Sequence, residues 1–140
     1  MSLSDHLRYL RALHGGTDTV TIATAIGLEL PGQIYLAETC YRPVDNVPLV
    51  ENLAAYYGRS TEEFHWHNAR PRKYLTFYIA QAIRNKQAVS LTLRSQEVLQ
   101  GNPEWWDLSS IGLRMGDGRL LVVQRHAVID WPEATQWENV

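Results

Sequence analysis

The stretch whose reading decides the fold is AVSLTLRSQEVLQGNPEWWDLSSIGLRMGDGRLLVVQRHAVIDW, residues 88–131. Val89, Leu91 and Leu93 alternate with Ser90, Thr92 and Arg94, the two-residue period of a strand with one buried face. Ile111, Leu113 and Met115 repeat the pattern against Gly112 and Arg114. Gly116-Asp117-Gly118 then supplies positive-φ residues for a tight hairpin. Leu120 to Val123 is a short apolar run, and Ala127 to Trp131 is another after the polar step Gln124-Arg125-His126. With Val98 to Asn102 added, five short strands fall in about 44 residues. That is too little chain for a sandwich and predicts a small, strongly bent barrel.

Working outward, Lys73 to Arg84 reads as a helix placed just before the strands. The run Val89-Ser90-Leu91-Thr92-Leu93, then Val98-Leu99-Gln100-Gly101, Trp106-Asp107 and Gln124-Arg125-His126-Ala127-Val128-Ile129 resembles the Hfq branch of the Sm-like RNA-binding proteins. The resemblance covers about residues 73–131. It implies a bent five-stranded barrel whose edge strands pair between subunits, hence a homo-oligomer. It also implies RNA contacts at Thr76, Asp107, Gln124, Arg125 and His126, with Arg84 and Lys86 on a basic rim. The family's Tyr-Lys-His signature reads Gln124-Arg125-His126 here, so the aromatic partner for a base is absent. Pro103 is expected to interrupt the second strand, and the first hairpin loop, Ser95-Gln96-Glu97, lacks the usual glycine.

Upstream, short helices are punctuated by Gly and Pro. Ser4 or Asp5 can cap a first helix carrying Leu7, Leu10 and His14, ended by Gly15-Gly16. Thr17 or Asp18 can cap a second with Ile22, Ala23 and Ile26, closed by Gly27. Pro31 opens a third with Ile34, Ala37 and Tyr41, and Pro48 a fourth with Leu49, Leu53 and Tyr56. Ser60-Thr61-Glu62-Glu63 is a capping box for a fifth, short helix through Phe64. Residues 69–72, with Pro71, read as a linker. The domains are then 1–68, 73–131 and a tail at 132–140 that includes Trp137.

Ile22-Ala23-x-x-Ile26-Gly27-Leu28, Ile34 with Glu38, Pro48-Leu49 through Leu53-Ala54 and Ser60-x-x-Glu63-Phe64 resemble the Xre/Cro class of helix-turn-helix proteins over about residues 3–64. The resemblance implies that the third helix enters the major groove of DNA. Gly32, Gln33, Tyr35 and Thr39 would then face base edges, with Gln33 suited to adenine. Thr19 and Thr21 would meet phosphate, as would Arg42, the nearby cation. Leu36 and Glu29 on that surface are unfavourable to it.

Composition bounds the rest. The 140 residues are 45% hydrophobic and 20% charged, with net charge −2 and one cysteine, which excludes an internal disulfide. Residues 1–70 hold five arginines against eight acidic side chains, −3, and residues 71–140 hold eight basic against seven, +1. Neither half is the strongly basic surface of non-specific nucleic-acid binding. No apolar run reaches the ~20 residues of a membrane span, and Met1 to Asp5 lacks the marks of a secretion signal, so the expected location is cytoplasmic. His65-Trp66-His67 offers two imidazoles, fewer than a zinc site uses. These histidines are expected in a solvated linker, with no metal and no cofactor. Of Trp105-Trp106, adjacent on a strand, one is expected inside the barrel and the other outside. No nucleophile–base pair, phosphate loop or carboxylate pair stands out, so enzymatic activity is not expected. The fold class expected is α+β: a five-helix helix-turn-helix domain, then a helix and a five-stranded Sm-like barrel. The expected function is transcriptional regulation by DNA binding on an oligomeric scaffold. The alternatives are an RNA-binding riboregulator and a pure protein-interaction scaffold.

Overall fold

A computed structural model describes residues 1–132, and the expected tail with Trp137 lies almost wholly outside them. The chain is α+β and divides into two compact units, Met1–Arg72 and Lys73–Val140.

The first unit holds α1 (Leu3–Leu13), α2 (Thr19–Ala25), α3 (Gly32–Thr39), α4 (Val47–Tyr56) and α5 (Thr61–Asn68). The caps follow side-chain chemistry, with one correction at the start. Ser2, not Ser4 or Asp5, caps α1 by accepting the Asp5 amide. Ser4 instead turns inward, its hydroxyl 2.7 Å from the Ala37 carbonyl and 2.8 Å from that of Cys40. It thereby satisfies carbonyls that the end of α3 leaves open. Asp18 caps α2, Asn46 caps α4 ahead of Pro48, and Ser60 caps α5. Leu7, Leu10, Ile22, Ile34, Leu53 and Phe64 close the core. Glu38 is buried yet ionically matched: Arg11 grips it with two bonds of 2.7 and 3.0 Å. This bidentate pair, stronger than a neutral bond, fixes the rotation of α3 against α1 and raises the Arg11 pKa.

α5 continues past Phe64 to Asn68, so the three residues His65-Trp66-His67 are helical rather than a solvated linker. His65 and Trp66 are exposed, but His67 is buried.

α6 (Arg72–Asn85) leads into the second unit. Lys86 takes the left-handed conformation (φ 53°) just past its end, and Gln87 bonds back to Ala82. The strands β1 (Val89–Leu93), β2 (Val98–Trp106), β3 (Ser110–Arg114), β4 (Leu120–Gln124) and β5 (Val128–Asp130) form an antiparallel sheet ordered β4-β3-β2-β1-β5. A 3-10 turn, Arg125–Ala127, carries the chain from β4 to β5. This order is compatible with a small bent barrel, and Leu75, Ile79, Leu91, Ile111, Leu113, Val128 and Trp131 fill its core.

Three local expectations change. Pro103 does not interrupt β2: it pairs with Leu113, and the ladder shifts register before Trp105. In consequence neither Trp105 nor Trp106 fills the core, and both stay more than a third exposed. Trp105 lies over Gly112 so closely that a Cβ there would sit 2.1 Å from its indole nitrogen. In the Gly116-Asp117-Gly118 hairpin only Gly118 has positive φ, and in the glycine-free first hairpin Gln96 accepts that geometry at φ 71°.

Candidate nucleic-acid interface

Two surfaces gather the residues that the sequence singles out, one in each unit. On the first, α2 and α3 carry the DNA set. Gly32, Tyr35, Thr39 and the following Arg42 are exposed, Gln33 and Thr19 half-buried, and Thr21 exposed. Two of the three threonine hydroxyls are already committed as donors. Thr21 Oγ1 donates to Asp18 at 3.2 Å and Thr39 Oγ1 to the Tyr35 carbonyl at 2.9 Å. The Thr21 amide and hydroxyl hold the Asp18 carboxyl below the usual aspartate range, so a negative charge sits beside the proposed phosphate contact. Tyr35 is 62% and Leu36 65% exposed. A cavity of about 290 Å³ lined by Gln33, Leu36, Cys40, Val44 and Leu49 adjoins them. Arg42, exposed just past α3, offers this face a cation. The surface is more apolar than basic.

The second surface forms where β2 and β4 end. Arg125, at the start of the 3-10 turn, points inward rather than toward solvent and is 1% exposed. Its Nη2 donates to Thr76 Oγ1 of α6 at 2.8 Å, and its Nη1 to the Asp107 carbonyl at 3.0 Å. The chain thus brings together Thr76, Asp107 and Arg125, separated by up to 49 residues. Asp107 spends its carboxylate locally, accepting the Ser109 and Ser110 amides at 2.7 Å each. That Asx arrangement turns the chain from β2 into β3. Gln124 and His126 are exposed on either side of buried Arg125.

Arg94 is a residue that the sequence reading passed over. Its Nε donates to the His126 carbonyl at 2.8 Å and its amide to the Ala127 carbonyl at 2.9 Å, so it positions the turn. No local pattern marks it, because its partner lies 32 residues away.

The decisive comparison concerns this unit. Residues 78–130 match the protein-family model described as Hfq related. The matched segment contains all five strands and the 3-10 turn, and the antiparallel order observed fits an Hfq/Sm-like part. A search of curated proteins finds no match to the chain.

Among the described residues, β4 and β5 stand at the two ends of the sheet order, β4 pairing with β3 and β5 with β1. β4 exposes Leu120 and Val122, the latter 56%. Among those residues no helix is long and apolar enough to cross a membrane.

Proposed function

We propose that this protein is a non-enzymatic regulator that assembles through β4 and β5 of neighbouring copies and binds RNA on the assembled barrels. The observation that carries the reading is the Hfq-related match over a sheet whose β4 strand exposes Leu120 and Val122. Open edges are templates for pairing, and closing them around a ring satisfies their backbone groups in every copy. In this reading His126 and Gln124 meet the RNA, by hydrogen bonds to base edges and ribose hydroxyls. Arg125, Thr76 and Asp107 form the frame that holds them.

Light scattering and native mass spectrometry of the full chain test the assembly. The wild type is expected as a discrete oligomer, and Val122→Lys on the edge strand as a smaller species with unchanged circular dichroism. A monomeric wild type at micromolar concentration defeats the proposal. Gel shifts with U-rich RNA across several salt concentrations test the ligand: His126→Ala weakens binding at unchanged melting temperature.

A second reading, transcriptional control through DNA, is favoured by one feature. α3 presents Tyr35 and Thr39 outward with Arg42 just beyond its end. On an oligomer, several such weak readers gain avidity. A duplex-DNA gel shift that is lost in Arg42→Ala supports it. Absence of a shift at ~50 mM salt, where phosphate contacts are strongest, excludes it.

A further inference from the structure

We propose that Trp105 is a stacking platform for one unpaired RNA base, on the outer face of the sheet beside Gln124. The inference rests on the RNA reading above and adds to it the aromatic contact that the step Gln124-Arg125-His126 lacks.

The indole is held flat. A Cβ on Gly112 would stand 2.1, 2.3 and 2.6 Å from its Nε1, Cε2 and Cδ1. Three contiguous ring atoms at nearly one distance mean that the ring lies across the glycine. An edge-on ring would bring one atom close and leave its neighbours much farther away. Gly112 supplies the room, since any side chain there would push the ring off the sheet. One face of the indole therefore rests on β3 and the other is turned outward, which leaves Trp105 37% exposed. A ring already fixed in place loses little side-chain freedom when a ligand stacks on it.

The register decides what surrounds it. Trp105 pairs with Gly112 and Gly112 with Val122, on the face opposite buried Ile111, Leu113 and Val123. Two residues along β3, on the same face, Ser110 pairs with exposed Gln124. Strand spacing and a two-residue rise put the Gln124 Cα about 8 Å from that of Gly112, beneath the ring. A base laid on the indole brings its edge within reach of that amide, which both donates and accepts. On the other side the strip ends at an ion pair: Arg114 donates to Glu104 at 2.6 and 3.0 Å, and to the Gly118 carbonyl at 3.0 Å. The two charges cancel, so the strip suits the uncharged face of a base rather than a phosphate. It is about one ring wide, far short of the ~1,200 Å² of a stable protein interface. Exposed Leu120 and Val122 lie on β4, the strand assigned to assembly, whereas Trp105 stands two strands in from it.

The test uses the full-length chain and single-stranded RNA carrying 2-aminopurine, a fluorescent base that stacking quenches, at successive positions. The wild type is expected to retain the RNA on filters and to quench the label. Trp105→Leu should lose the quench and bind at least roughly five-fold more weakly, the lower end for one base–aromatic stack. Trp105→Phe, still a flat ring, should keep part of both, and Trp66→Leu, which removes an exposed tryptophan of the first unit, all of both. The ratio of wild-type to Trp105→Leu affinity should be equal at ~50 and ~200 mM salt, because stacking neutralises no phosphate. Should Trp105→Leu fail to fold, Gly112→Ala decides: it displaces the ring without removing it and must weaken the quench. RNA binding and quenching that survive Trp105→Leu overturn this proposal and leave the RNA reading standing. A wild type that binds no RNA overturns both.

Discussion

Arg125→Ala separates a structural cation from a reader of RNA. The guanidinium is 1% exposed, and its bonds include those to Thr76 Oγ1 at 2.8 Å and to the Asp107 carbonyl at 3.0 Å. Bonds from a charged donor contribute roughly 1.5–3 kcal/mol each when a neutral partner is left behind. Asp107 is exposed and its carbonyl can regain water, so that loss falls at the low end. Thr76 is buried and cannot, so its loss falls at the high end. Relief from burying the guanidinium offsets part of the sum, and the cavity left by its stem adds to it. The net is about 3 kcal/mol. For a unit of this size that corresponds to a fall in melting temperature of roughly 12–24 °C. Arg125→Lys, able to reach only one acceptor, should lose about half as much. Thr76→Val should lose less than Arg125→Ala, and the double variant should fall short of the sum, since the two share one bond. Thermal melts followed by circular dichroism give the values, and filter binding of RNA is measured on the same samples below the transition. A variant that melts at the wild-type temperature yet no longer retains RNA refutes the argument, since Arg125 would then be a reader.

Two further expectations follow from particular contacts. Asp18, Glu104 and Asp117 all have lowered pKa values, held chiefly by the Thr21 amide, the Arg114 guanidinium and the Arg119 amide respectively. A lowered carboxyl pKa contributes stability above its unfolded value that disappears as pH falls through the folded value, so the loss lies below about pH 4. Melting temperatures from pH 5 to 2 should fall less steeply in Asp18→Asn plus Asp117→Asn, and equal slopes would contradict this assignment. Gly112→Ala should displace the Trp105 indole, whose nitrogen lies 2.1 Å from the new Cβ position. A cost of about 1–3 kcal/mol, the scale of overpacking, and a red-shifted Trp105 emission are expected. Both should vanish in a Trp105→Phe background, and an unchanged spectrum would show that the ring does not rest there.

What was legible in the sequence was local. The alternation in Val89–Leu93 and Ser110–Arg114 gave strands in their places, because a period of two reports one buried face without knowing its partner. The cap at Ser60 was equally visible, and that of α2 was narrowed to Thr17 or Asp18, of which Asp18 is the cap. The failures came where partners are distant. Ser2 displaced Ser4 as the first cap because Ser4 answers to Ala37 and Cys40, more than 30 residues on. The tryptophan pair was misjudged because one register shift after Pro103 resets which face a residue takes. His67 looked solvated beside exposed His65, since its counterparts Met1 and His6 are some 60 residues upstream. The family resemblance did carry one distant relation that the residues alone did not: Thr76, Asp107 and Arg125 meet.

That meeting changes what the barrel can use to hold RNA. The sequence invites Arg125 to grip phosphate, but a guanidinium bonded to Thr76 and Asp107 inside the unit neutralises nothing outside it. At this step the surface offers the uncharged Gln124 and His126, with Arg84 and Lys86 exposed at the end of α6, on a half-chain of net charge +1. Binding should then release few counterions per copy, and its salt dependence should be shallow, since the slope counts the phosphates neutralised. Weak contacts of this kind add up only if the copies are joined, because a second contact made by a linked copy acts at a raised effective concentration. Assembly through β4 and β5 is therefore a condition for RNA binding in this reading, and the two should disappear together. Val122→Lys, a substitution on β4 outside the Gln124–His126 step, should abolish RNA retention to the same extent that it dissociates the oligomer. Dissociated chains that still hold RNA at wild-type affinity would break the link.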